Sequence, residues 1–124
     1  MAVRREPTRE RRQNSAIATR VRSVSRQLEL TQDELGRLLN SSPRTVSRWA
    51  TGDVSPHSAT KQRLLELGYI AEQLSRVMQP QDANLWLFAP NRLLKGEPPA
   101  DLIRQGEFRK VLGLIEALAE GVVV

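Results

Sequence analysis

The segment Leu30 to Gly52, LTQDELGRLLNSSPRTVSRWATG, leaves this chain the least conformational freedom. Thr31 stands three residues before Glu34, a capping box in which hydroxyl and carboxylate each satisfy a free backbone N–H, so the spacing predicts a helix from Gln32. Leu35, Leu38 and Leu39 form its apolar face, and Gly36 between them leaves room for a second helix to approach. The helix is short and ends near Leu39. Asn40 then takes the left-handed turn position, which Asn tolerates better than most residues with a side chain. Ser42 and Pro43 restart the chain as N-cap and first helical residue.

The second helix is expected from Pro43 to about Ala50, with Val46 and Trp49 turned inward and Gly52 as its stop. Arg44, Thr45, Ser47 and Arg48 are then left on the outside. No acidic residue occurs between Asn40 and Gly52, so this face offers positive charge and hydroxyls only. The major groove presents guanine acceptors to a bidentate Arg and a thymine methyl to Thr. Two short helices, a tight turn and a basic outer face describe a helix-turn-helix.

Charge supports a nucleic-acid partner only where it is concentrated. The 124 residues carry 19 Lys plus Arg against 14 Asp plus Glu, a net charge of +5. Residues 1–26 alone hold eight Arg and two Glu, while residues 59–124 balance. Residues 1–13 have few apolar side chains to offset the entropy of ordering, so they are expected to form a flexible basic arm that follows DNA phosphates. From an N-cap at Asn14 or Ser15, Ile17, Val21, Val24 and Leu28 then trace one buried helical stripe.

Several function classes are excluded. With no cysteine and one histidine, the chain has no thiolate nucleophile and no His-rich metal site, and it lacks a Gly-rich phosphate loop or an evident carboxylate pair. An enzyme, a cofactor and a bound metal are not expected. His57, in the turn Ser55-Pro56-His57-Ser58, reads as a surface residue. No signal peptide and no membrane-length apolar run occur, so a cytoplasmic location without membrane attachment is expected.

The second half reads as helices separated by proline and glycine. Residues 59–78 form one long helix, with Leu64, Leu67, Ala71, Leu74 and Met78 on a stripe that Leu65, Ile70 and Val77 widen. So broad a face is expected to pack on both halves or on a second copy of the chain. Trp86 and Phe88 lie in a short apolar segment closed by Pro90 and are expected to support the interior. Pro98-Pro99 start another helix, Gly106 interrupts, and Phe108, Val111, Ile115, Leu118 and Val122 mark a last amphipathic helix with Gly121 in its cap. The whole is all-α: residues 1–13 an arm, 14–58 a helix-turn-helix domain, 59–124 a small helical domain. Val122, Val123 and Val124 form an apolar tail; with Gly121 they are expected to plug a concave site on a partner.

Two resemblances rest on these motifs. Leu30 to Gly52 resembles the helix-turn-helix of the Xre and lambda-repressor-like family, through Gln32, Gly36, Val46, Trp49 and Gly52. The resemblance implies that Gln32 binds phosphate and that Pro43, Arg44, Thr45, Ser47 and Arg48 face bases and phosphates. Pro43 departs from the pattern, standing where many relatives have a polar residue. The order W-L-F-x-P-N, L-x-G-x-x-P, D-L-x-x-x-G and V-x-x-L-I over residues 59–124 resembles the toxin-binding domain of Xre/MbcA/ParS antitoxins. It implies an antitoxin that blocks a RES-domain, NAD-consuming toxin and represses its own operon at operator DNA, as a homodimer or a larger hetero-oligomer with the toxin. A free-standing Xre-like regulator is the alternative, and it leaves the second half without a task.

Overall fold

The computed structural model describes residues 8–121. In chain order these form α1 (Arg9–Gln27), α2 (Gln32–Leu38), α3 (Pro43–Ala50), α4 (Ser58–Ser75), α5 (Pro80–Phe88), a 3-10 turn (Arg92–Leu94), α6 (Pro99–Arg104) and α7 (Phe108–Ala119). No strand occurs among the described residues, and the all-α expectation holds.

α1 is the central strut, packing on both α3 and α4; α2 packs on α3 and α6, and α4 on α7. One continuous apolar core results. It runs from Val21, Val24 and Leu28 of α1 through Leu35, Val46 and Trp49 to Leu64, Leu67 and Leu74 of α4, Leu87 of α5 and Val111 of α7.

Most of these helices are short, so their ends decide their placement. α1, α2, α3 and α6 all end in a Schellman motif, in which two N–H groups beyond the helix return to carbonyls of its last turn. At α3, Asp53 N–H donates to Arg48 C=O at 3.0 Å and Gly52 N–H to Trp49 C=O at 3.1 Å. At α6, Glu107 N–H reaches Leu102 C=O at 2.9 Å and Gly106 N–H reaches Ile103 C=O at 3.0 Å. The left-handed residue is Gly52 or Gly106 in these two, but Glu29 at φ 48° after α1 and Asn40 at φ 54° after α2.

Carbonyls that such an end leaves over tie the elements together. The Ala50 C=O accepts from Arg22 Nη1 of α1 at 2.8 Å. The Arg104 C=O accepts from Arg63 Nη1 of α4 at 2.6 Å and from Asn40 Nδ2 in the α2–α3 turn at 3.2 Å. Asn84 Nδ2 of α5 donates to the carbonyls of Leu28 at 3.2 Å and Glu29 at 2.9 Å, closing the end of α1. Each bond joins one element to another, and those of Asn40 and Asn84 join the first half to the second.

Several expectations need correction. α1 starts at Arg9 rather than at Asn14 or Ser15, because Thr8 caps it by accepting from Arg11 N–H at 3.1 Å and Glu10 suits the positive end of the helix dipole. Residues 9–13 are therefore helical and not part of a flexible arm; residues 1–7 lie outside the described residues. Asn14 is instead buried in mid-helix, where its side-chain oxygen accepts from the Ser55 hydroxyl. Gly36 makes room for the turn and not for a second helix: a Cβ there would lie well inside contact distance of the Ser41 carbonyl oxygen.

The apolar segment before Pro90 is the last turn of a helix begun at Pro80. Ala83 and Leu87 are its core residues, whereas Trp86 and Phe88 are half-buried and Pro90 is exposed. Leu65 and Val77 do not widen the core of α4, since both are exposed. α4 itself stops at Ser75, with a turn carrying the chain to Gln79, whose extended ψ of 158° is what a following proline imposes.

Candidate functional site

α3 is held from inside by Val46 and Trp49, both buried, so its opposite face is committed to solvent. Ser42 caps it, accepting from Thr45 N–H at 3.1 Å, and Pro43 occupies the first turn without wasting a donor. Arg44 and Arg48 stand exposed, Ser47 and Thr45 half-buried, and Pro43 exposed at the leading edge. The Thr45 hydroxyl lies 2.9 Å from that of Ser42, so the cap engages it and its methyl is the freer group.

Electrostatics on this face are simple. Among the described residues the ion pairs are Arg37–Asp33, Arg76–Glu72, Arg104–Asp101 and Lys110–Glu107, at 3.5 to 3.8 Å, all between residues three or four apart in the chain. None involves Arg44 or Arg48. The solvent-exposed pairs contribute little to stability.

Gln32 is exposed at the first position of α2. It lines an open groove with Arg22, Ser25 and Arg26 of α1 and Val46 and Ala50 of α3. Five of the expected residues, Gln32, Arg44, Thr45, Ser47 and Arg48, thus sit on two adjoining helices, with Pro43 at their junction. Arg22 and Arg26 of α1 line the groove beside Gln32, Arg22 with its guanidinium on the Ala50 carbonyl, and the motif spacing did not single them out. Their signal was present only as charge: α1 carries six Arg against one Glu.

The far end of the molecule is different in chemistry. α7 closes on Glu120 and on Gly121, which is exposed at φ +86° and donates its N–H to Leu118 C=O at 3.0 Å. Val122, Val123 and Val124 lie outside the described residues. Beside α7, the exposed side of α4 presents Leu65 and Tyr69, and the turn after it presents Val77. Tyr69 meets Phe108 edge-on with ring centres 6.1 Å apart, and a groove between the helices is lined by Tyr69, Val77, Leu112 and Ala119 with Arg76 and Glu116. His57 caps no N–H with its side chain and is exposed at the start of α4. Among the described residues no group of His, Asp and Glu side chains is placed to hold a metal, and no helix is long and apolar enough to cross a membrane.

No protein-family model matches the chain. It is 47% identical over 110 residues to the mycobacterial cidal antitoxin MbcA of Mycobacterium tuberculosis and of Mycobacterium bovis, covering 89% of this chain and 97% of theirs. A probable mycobacterial cidal antitoxin of M. tuberculosis is 33% identical over 95 residues, 77% of this chain and 81% of that one. The fold matches a chain in the crystal structure of the M. tuberculosis MbcT–MbcA toxin–antitoxin complex with a TM-score of 0.76 and 48% identity, over 86% of this chain and 96% of that one. An all-helical chain with these likenesses falls in the class of antitoxins, the non-enzymatic members of toxin–antitoxin pairs. Within that class it belongs to the MbcA family.

Proposed function

We propose that this antitoxin neutralises a RES-domain, NAD-consuming toxin by binding it directly and represses its own operon through α2 and α3. The observation that carries the reading is the likeness, across most of the chain, to an antitoxin solved together with its toxin. The toxin's RES fold and NAD chemistry come from the family resemblance of residues 59–124. The DNA role is supported by Arg44 and Arg48, exposed and without an ion pair among the described residues, on a helix that carries no acid.

In this reading the chain through residue 58 serves operator DNA and residues 59–124 serve the toxin. Gly121, exposed at the end of α7, leads the segment Gly121 to Val124 into the toxin's active site, where it excludes substrate. Two copies bind the operator, because one short helix spans only a few base pairs and paired half-sites supply the affinity.

Co-expression with the adjacent open reading frame tests the assignment. The two products are expected to copurify, and the chain is expected to relieve the toxicity of its neighbour and stop NAD loss. A chain truncated after Glu120 should still be folded but neutralise poorly. Full neutralisation by the truncated chain would remove the plug, and failure to copurify or protect would leave a plain DNA-binding regulator.

A further inference from the structure

We propose that Arg22 is the positioning residue of α3, fixing the angle at which Arg44 and Arg48 meet DNA; this rests on the DNA-binding reading above. The end of α3 is almost completely accounted for by its own backbone. Ser47 C=O accepts from Thr51 N–H, Arg48 C=O from Asp53 N–H, and Trp49 C=O from Gly52 N–H, all at 3.0 to 3.1 Å. The Ala50 carbonyl is the one that the motif leaves over. Arg22 reaches across from α1 and donates to it at 2.8 Å.

Three consequences follow from that placement. The guanidinium puts a full positive charge at the negative end of the α3 dipole, where a cation is favoured. It also joins the end of α3 to a helix that is itself tied down, by Asn84 at its C-terminus and by the Asn14–Ser55 contact in its first half. Finally, Arg44 and Arg48 stand exposed on the face away from buried Val46 and Trp49, so a roll of α3 about those two residues would displace both arginine side chains. Arg22 therefore acts on base reading through α3, whereas an exposed arginine beside DNA would ordinarily be counted as a phosphate contact.

These two roles give different measurements. A duplex selected by the full chain from a random-sequence library, and a scrambled duplex of the same composition, are titrated by fluorescence anisotropy over a salt series. Arg22→Gln should lower the ratio of the two affinities roughly tenfold while leaving the scrambled duplex and the salt slope unchanged. Arg22→Lys, which still places a charged N–H donor near the Ala50 carbonyl, should retain most of the ratio. Far-UV circular dichroism at the binding temperature should match the parent for both variants, since an exposed single hydrogen bond is lost.

If Arg22→Gln weakens both duplexes alike and the slope falls by about 0.9, Arg22 is a phosphate contact and the positioning role is wrong. A lower melting temperature with the affinity ratio intact would make it merely structural, and is equally fatal. Should the parent chain select no sequence from the library, the DNA-binding reading itself fails, and this role fails with it.

Discussion

Gly36 has no room for a methyl group, and the reason lies five residues away. The turn after α2 folds back so tightly that Ser41 N–H donates to Gly36 C=O at 2.7 Å, which brings the Ser41 carbonyl against the Gly36 Cα. Alanine would gain about 1 kcal/mol in helix propensity, but a clash with backbone costs about 1–3 kcal/mol when neither side can move freely. Gly36→Ala is therefore expected to lower stability by up to about 2 kcal/mol, read as a lower urea midpoint with an unchanged slope. Asn40 faces the complementary demand. Its φ of 54° favours glycine or asparagine, and its side chain also donates to the Arg104 carbonyl at 3.2 Å, which glycine cannot do. Asn40→Gly should cost about 1 kcal/mol for the lost bond, and Asn40→Ala more, for the bond and the backbone together. Equal stability of the two variants would show that only the bond matters. The left-handed turn was legible from Asn40 in the sequence; its partner 64 residues on was not, because nothing local marks which carbonyl will be left over.

At the level of elements, α2 and α3 could be read almost residue by residue because each carries its own start signal. The Thr31–Glu34 box is formed in both directions, at 3.0 Å each way, and Ser42-Pro43 opens α3 as expected. α1 was read too short because its first turn is capped by Thr8 and filled with Arg and Glu, good helix formers that leave no apolar stripe to find. α5 was missed for the opposite reason. Its nine residues show two buried positions, Ala83 and Leu87, while the conspicuous aromatics at 86 and 88 only flank them. Periodicity also could not tell that Leu65 and Val77 remain uncovered, since coverage depends on neighbours supplied by other elements. The same limit applies to the exposed basic face of α3, where sequence yields orientation but not duty. Arg48→Ala is expected to weaken binding to a selected duplex by about 1–3 kcal/mol and to relax preference at one base pair, while a scrambled duplex is bound as before. Unchanged affinity for every sequence would remove Arg48 from the recognition set.

Across the whole molecule, the proposed division into a DNA-facing part and a toxin-facing part would be one of surfaces more than of interiors. The net charge illustrates this: the basic excess assigned to a flexible arm stands largely on α1, the helix that also packs on α4 of the second half. The apolar core passes without a break from Val21 to Ile115, and side chains of Asn40 and Asn84 tie helix ends across the two parts. Such coupling predicts one cooperative unfolding transition. The two tryptophans make the test direct, because Trp49 is buried in α3 and Trp86 is half-buried in α5. In Trp49→Phe only the second part reports by fluorescence, and in Trp86→Phe only the first, so each midpoint can be compared with far-UV circular dichroism on the same sample. That comparison is indifferent to any stability lost through the substitution itself. Within each variant the fluorescence and dichroism midpoints in urea should coincide. A Trp49 transition that precedes the loss of helix would mean that the DNA-facing part unfolds on its own, and the shared core would then be too weak to couple the two surfaces.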